Sequence, residues 1–216
     1  MEATIFETAW SLVGMEKFLI DFVMEKPYVL ALFDRIMEYS LGVTKELARL
    51  GADIIWLGDD VGAQQSMLIS PLLWRKTLKE RLRHIITELK REKPELKIAY
   101  HCCGSYFPIM GELIEVGVDI LNALQPTAAN MDLTTIKNTY GSQASLFGGI
   151  DTQKVLPFGS LNDVEKEVQR VITAAAHGGG YIISGAHNIQ PDTSIEKVVK
   201  LFEWSKKYGA YPVQKF

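Results

Sequence analysis

The amino-acid sequence predicts an α/β fold in which about five parallel strands alternate with covering helices. Short apolar runs alternate with amphipathic helical patterns from residue 27 onward. Strand starts are on average roughly 30 residues apart, the size of one βα unit. A sequence that stops a helix and starts a strand occurs twice, as Gly51-Ala52-Asp53-Ile54-Ile55 and Gly117-Val118-Asp119-Ile120-Leu121.

The first half of the chain is predicted to contain two long helices and two strands. Pro27 begins a helix whose apolar positions repeat with a helical period, and Gly51 is a plausible C-cap. Ser70 followed by Pro71 is a typical helix start. The predicted elements are a helix over 27–50, a strand over 54–57, a helix over 71–93 and a strand over 97–100.

The second half repeats this alternation. Asp132 and Ser160 are predicted N-caps, and the glycine run 178–180 ends a helix. The predicted elements are helices over 107–116, 132–138, 160–175 and 195–207, and strands that end near 124, 150 and 184. Two architectures fit this pattern, an open doubly wound sheet or part of an eight-stranded barrel. No glycine-rich nucleotide fingerprint follows a strand, which argues mildly against the doubly wound sheet.

Composition excludes several classes of protein. The 216 residues are 47% hydrophobic and 23% charged, which is ordinary for a globular chain. A net charge of −3 favours neither nucleic acid nor an anionic membrane as a partner. Cys102 and Cys103 are adjacent and make a poor structural bridge, so we expect a reducing compartment, the cytoplasm. No apolar run is long enough for a membrane span.

Polar side chains follow each predicted strand, and parallel α/β folds place their sites at the carboxyl ends of strands. These residues are Asp59, Asp60, His101, Cys103, Gln125, Asp151, His187 and Asn188. Surface loops without a functional role would instead be rich in Ser, Lys and Glu. The sequence therefore predicts a site built from these strand ends.

His101 and Cys103 are two residues apart, so an extended chain directs both side chains to the same side. Imidazole and thiolate are zinc ligands, and a catalytic zinc site has three protein ligands and one open position. His187 is the third candidate because it ends the last strand. In the alternative interpretation, His101 is a hydrogen-bonded strand-end histidine and the cysteines are small buried residues.

Asp59 and Asp60 form a candidate general acid/base pair, because neighbouring carboxylates raise the pKa of one of them. They would equally hold a cationic substrate. The alternative is a solvated loop in which Asp60 caps a turn. For Asp151, too, the alternative to a functional role is a structural one, as a helix cap.

Several motifs together resemble the uroporphyrinogen decarboxylase superfamily, and more closely its branch of cobalamin-dependent methyltransferases. The matching motifs are Gly51-Ala52-Asp53 with Gly58-Asp59-Asp60, Ser70-Pro71 with Trp74-Arg75, His101-Cys102-Cys103-Gly104, Gly148-Gly149-Ile150-Asp151, Leu156-Pro157-Phe158-Gly159, Gly178-Gly179-Gly180-Tyr181-Ile182 and His187-Asn188-Ile189-Gln190-Pro191-Asp192. The resemblance spans essentially the whole chain and corresponds to the C-terminal portion of the longer family chain.

The resemblance implies a partial (β/α)8 TIM-type barrel with a site at its mouth. In the methyltransferase branch a His-x-Cys pair and a later cysteine bind zinc, which activates a thiol to accept a methyl group from a corrinoid protein carrying methylcobalamin. His101 and Cys103 match that pair, and His187 is at about the position of the later cysteine. Asp59 and Asp60 are then the candidate catalytic residues, and Gln125, Asp151 and Asn188 the candidate substrate-binding residues.

Two other functions are compatible with the sequence. One is a carboxy-lyase acting on a porphyrinogen or another acid, since the decarboxylases also have a histidine near the position of His187. The other is an inactive barrel fragment or a subunit of a larger assembly. Residues 1–216 are predicted to form a single domain that lacks the N-terminal strands of the family barrel. Exposed sheet edges then predict a homo-oligomer.

Overall fold

The computed structural model of the chain describes residues 3–213 and residue 216, and in them it confirms the predicted alternation of strands and helices. The sheet has five strands in the order β1-β2-β3-β4-β5. They are β1 (Ile54–Gly58), β2 (Lys97–His101), β3 (Ile120–Leu124), β4 (Ser145–Ile150) and β5 (Tyr181–Gly185). β1 pairs in parallel with β2, and β4 with β5. In the first pair Gly58 is opposite His101, so residues 59 and 101 meet at one edge.

Ten α-helices lie within the described residues. They are α1 (Phe6–Val13), α2 (Met15–Val23), α3 (Pro27–Arg49), α4 (Pro71–Trp74), α5 (Glu80–Glu92), α6 (Phe107–Glu115), α7 (Leu133–Tyr140), α8 (Val155–Phe158), α9 (Leu161–Ala175) and α10 (Ile195–Tyr208). The predicted caps are present: the side chains of Ser70, Asp132 and Ser160 each accept a backbone N–H from the first turn. Gly51 and Gly117 have φ values of +100° and +107°, a conformation that favours glycine after a helix.

The structure differs from the predicted helix over 71–93, which contains a π-helical turn at Arg75–Lys79 between α4 and α5. The Thr77 hydroxyl donates to the Leu73 carbonyl at 2.7 Å within this stretch. Burial nevertheless follows the predicted apolar face, because Trp74, Leu78 and Leu82 are all buried.

Helices α1 and α2 were not predicted from the sequence. They are only 8 and 9 residues long, and isolated helices of that length are marginal in water. Packing stabilises them: the rings of Phe6, Phe18, Phe22 and Phe33 form a cluster with centroids 5.3–6.1 Å apart. Phe33 belongs to α3, so this cluster attaches both short helices to a long one.

The chain divides into two compact units. The first contains the residues up to Gly62 together with Met67–Cys102 and Pro108–Ile120, and the second contains Ala63–Ser66, Cys103–Phe107 and the residues from Leu121 onward. Each unit has its own apolar core, represented by Ile55, Ile85 and Ile98 in the first and by Leu146 and Val168 in the second. That the whole chain acts as one domain stays a prediction.

Among the described residues no helix is long and apolar enough to cross a membrane.

Candidate metal centre

The end of β1 is held by the side chain of Asp59, which is 4% exposed. Its carboxylate accepts the backbone N–H of Ile5 at 3.0 and 3.1 Å and that of Glu7 at 3.0 Å, at the start of α1. The backbone N–H of Asp59 in turn donates to the carbonyl of His101 at 3.1 Å. Asp59 therefore connects the N-terminal segment to the end of β2.

Burial also sets the protonation of this group. Loss of hydration raises the pKa of the Asp59 carboxyl to about 8, although the hydrogen bonds from the backbone of Glu7 and Ile5 oppose the shift. A carboxyl with such a pKa is mostly protonated at neutral pH and can donate a proton. Burial is the largest cause of this shift, rather than the neighbouring Asp60 carboxylate from which the sequence predicts it. The contacts give Asp59 a structural role, and its acid/base role stays a prediction.

Asp60 lies beside the ring of His101. Its Oδ1 is 3.7 Å from His101 Nε2, which is within ion-pair range and longer than a hydrogen bond. Its backbone N–H donates to Glu7 Oε2 at 3.1 Å. Trp56 of β1 stacks on the imidazole with ring centroids 6.3 Å apart, so an aromatic ring and a carboxylate both orient His101.

His101, Cys103 and His187 come together as the sequence predicts. One potential ligand atom from each lies within 4.8 Å of the others. His101 is buried, Cys103 is half-buried, and His187 follows β5 and is half-buried. Both cysteines are free thiols, and Cys102 is fully buried.

The chemistry of this donor set fits zinc. Two imidazoles and one thiolate are three ligands of the types that zinc prefers, and three ligands leave one coordination position for a substrate. Thiolate and imidazole donors also exclude magnesium and calcium as natural occupants, since those ions take oxygen ligands. These three side chains could hold a metal ion.

Gln125 follows β3 and is directed at the turn after β2. Its side-chain oxygen accepts the backbone N–H of Gly104 at 2.6 Å. Gly104 is the residue immediately after Cys103, so this contact lies one peptide from a candidate ligand. The predicted substrate-binding role of Gln125 stays a prediction, and its observed contact is with the protein backbone.

Asp151 and Asn188 differ in their surroundings. Asp151 is buried, and its Oδ1 accepts the backbone N–H groups of Gln153 at 2.7 Å and Lys154 at 2.9 Å, just before α8. These two hydrogen bonds close the turn that precedes α8. The N-cap residue of that helix is Lys154 and no side chain caps it, so the helix cap that the sequence offered as an alternative is wrong. Asn188 is exposed, and its carbonyl accepts the Gln190 side chain at 3.3 Å. Their predicted contacts with a substrate stay predictions.

Sequence reasoning missed the residues that reach the strand ends from elsewhere in the chain. Ile5 and Glu7 are more than 50 residues from Asp59, and no local pattern marks that separation. Gln64 lies in a loop after β1, where its amide donates to the carbonyl of Thr127. The only signal available for it is its place in a strand-end loop.

Comparisons with known proteins assign the chain to a family. The family model described as uroporphyrinogen decarboxylase (URO-D) matches residues 3–208. No curated protein matches the chain at a significant level.

The chain also resembles two solved structures, to different degrees. A methyltransferase from Methanosarcina mazei superimposes with a TM-score of 0.79 at 22% identity, covering 97% of this chain and 58% of that one. A dihydropteroate synthase from Xanthomonas albilineans aligns with a TM-score of 0.49 at 11% identity, covering 78% of this chain and 59% of its own.

This chain thus spans about 58% of the length of the methyltransferase that it resembles. Its five parallel strands and alternating helices match part of the family's TIM barrel, as the sequence predicts. Since the family model covers nearly the whole chain, the protein belongs to the uroporphyrinogen decarboxylase family.

Proposed function

We propose that this protein is a zinc-dependent, methyltransferase-like member of its family that moves a methyl group from a corrinoid protein to a thiol or similar acceptor. The observation that carries the proposal is the convergence of His101, Cys103 and His187, whose ligand atoms lie within 4.8 Å of one another. A structural likeness to a methyltransferase supports it at the level of the fold.

Bound zinc would supply one effect, which is to lower the pKa of an acceptor thiol so that it reacts as a thiolate at neutral pH. The chain itself supplies the three ligands and their surroundings. We propose that Asp60, whose Oδ1 is 3.7 Å from His101 Nε2, receives the proton that the thiol releases and orients the imidazole. Two neutral imidazoles and one thiolate leave the site more positive than a site with two thiolates, which favours binding of an anionic sulfur.

The other strand-end residues receive supporting roles in this proposal. Asp59 lies next to Asp60 and is the second candidate acid/base group, with a raised pKa. Gln125, Asp151 and Asn188 are proposed to contact the substrate. The methyl donor is proposed to be methylcobalamin on a separate corrinoid protein. The proposed location is the cytoplasm, where both thiols stay reduced.

Metal content tests the proposal directly. The protein is purified without chelators beside a His101→Ala/Cys103→Ala double variant. A His84→Ala/Cys102→Ala double variant is the matched control, because it removes the same two residue types outside the group of three ligands. We expect about one zinc per chain in the parent and the control, and none in the His101→Ala/Cys103→Ala protein, by elemental analysis. A parent that takes up no zinc at micromolar concentrations overturns the proposal.

Zinc binding is then connected to reaction by a methyl-transfer assay. Free methylcobalamin and a small thiol are mixed with the protein, and loss of the methylcobalamin absorbance is followed. We expect turnover in the parent and the control and none in the variant without the ligands.

A carboxy-lyase is the second candidate, and the family model favours it because that model is described by a decarboxylase. Release of CO2 from a porphyrinogen or another acid by metal-free protein would support it. An inactive fragment or assembly subunit is the third candidate. A protein that binds no metal and turns over neither substrate would support that outcome.

A further inference from the structure

We propose that Gln125 is a positioning residue for Cys103, which it fixes through the backbone of Gly104. The inference deepens the proposed function and rests on it only for the metal, because the contact itself is a property of the protein chain. It adds a second role for Gln125 to the proposed contact with the substrate, which is to support a ligand of the ion.

The first step is the hydrogen bond at Gly104. Gln125 Oε1 accepts its backbone N–H at 2.6 Å, and Gly104 is buried. Because this N–H belongs to the peptide that joins Cys103 to Gly104, the hydrogen bond restrains the rotation of the Cys103 carbonyl group. The position of the Sγ atom depends on that backbone rotation.

The second step is a close backbone contact on the same turn. Gly104 has a φ of +72°, and a Cβ atom added there would lie 2.6 Å from the carbonyl oxygen of Ala63. The next residue, Ser105, donates its backbone N–H to the same carbonyl at 2.8 Å. The turn after β2 is therefore held by Gln125 and by the loop Ala63–Ser66.

The third step is the support of that loop. Gln64 donates its amide to the carbonyl of Thr127, two residues after Gln125. The Thr127 hydroxyl donates to Gln153 Oε1 at 2.7 Å, and the Gln153 amide lies 3.5 Å from Gln64 Oε1. Glutamine side chains thus connect the loop to the segments after β3 and β4, which limits the movement of the Cys103 turn.

The structure therefore predicts a specific effect of Gln125 on metal affinity. Removing a group that orients a metal ligand typically lowers metal affinity by about 10–100-fold. Gln125→Met keeps the length of the side chain and removes the acceptor. Gln125→Glu keeps an acceptor oxygen in place. Gln143→Met is the matched control, since Gln143 is exposed in the turn after α7.

The experiment measures zinc affinity of the full chain by competition with a chromophoric chelator, together with hydrogen exchange of the Gly104 amide. We expect the affinity of Gln125→Met to fall about 10–100-fold and that of Gln125→Glu to stay within about threefold of the parent. Exchange at Gly104 should be faster in Gln125→Met and restored in Gln125→Glu. Gln143→Met should match the parent in both measurements.

The two readouts separate this inference from the proposed function. Should the parent bind no zinc, the proposed function fails, while protection of Gly104 that depends on the residue at 125 still supports the positioning role. Equal Gly104 exchange in the parent and Gln125→Met overturns the positioning role. A glutamate variant as impaired as the methionine variant in both measurements also overturns it.

Discussion

Asp59 and Asp151 follow different strands and are both buried, yet their oxygen atoms bind different parts of the chain. Asp59 accepts N–H groups from residues 54 and 52 positions earlier in the sequence. Asp151 accepts N–H groups from residues two and three positions later. The first carboxylate joins distant segments, and the second closes a local turn.

A position at a strand end therefore does not by itself assign a functional role to a residue. The same reasoning from sequence selected both aspartates as site candidates. Their hydrogen-bond partners separate them, because a carboxylate that satisfies a distant helix start contributes to the stability of the fold. His101, Cys103 and His187 differ from both, since their ligand atoms converge on one another.

The largest expected effect comes from Asp59→Ala. It leaves the buried N–H of Ile5 and the N–H of Glu7 without their acceptor, and an unsatisfied buried donor costs about 1–3 kcal/mol. We expect the free energy of unfolding to fall by about 2–4 kcal/mol in urea denaturation. Asp59→Asn, which retains one acceptor oxygen, should lose less. An unchanged midpoint of urea denaturation for Asp59→Ala would show that water replaces the carboxylate as the acceptor of these N–H groups.

The second prediction concerns pH. The folded-state pKa of Asp59 is raised from 3.8 to about 8, so the folded protein binds more protons than the unfolded chain between these values. Stability contributed by this group is therefore complete below pH 4 and falls as the pH rises towards 8, by at most about 1.4 kcal/mol per pH unit. The free energy of unfolding of the parent should therefore fall relative to that of Asp59→Asn as the pH rises across that range. A difference independent of pH would contradict the raised pKa.

Asp151→Ala is expected to have the smallest effect. Its partners Gln153 and Lys154 are exposed, so water can replace part of the lost contact. Loss of the acceptor in this turn costs about 1 kcal/mol, which corresponds to a decrease in Tm of about 2–4 °C for a chain of this size. Differential scanning calorimetry measures it, with Asp151→Ser as the control that keeps a short acceptor. A loss as large as that of Asp59→Ala would remove the distinction between the two aspartates.

The sequence predicts the parts of this structure that depend on local signals. The caps at Ser70, Asp132 and Ser160 and the helix ends at Gly51 and Gly117 depend on residues within one or two turns. The convergence of the three candidate metal ligands follows from strand alternation and from parallel strands ending at one edge.

The unpredicted parts depend on contacts between residues far apart in the sequence. Helices α1 and α2 are stabilised by the phenylalanine cluster, and the Asp59 carboxylate by the start of α1. The contact of Gln125 with Gly104 connects two strand ends 21 residues apart. No periodicity or motif within a short window contains that information.

The π-helical turn at Arg75–Lys79 has a consequence for how this segment tolerates insertions and deletions. A π turn is equivalent to one extra residue in an α-helix, and each residue advances the helix by about 100°. Deleting a single residue there would produce a regular α-helix in which Leu82, Ile85 and Leu89 still face the core that buries them. The irregular turn therefore keeps the buried face continuous across the extra residue, and a one-residue deletion within Arg75–Lys79 should be less damaging than the same deletion within α5.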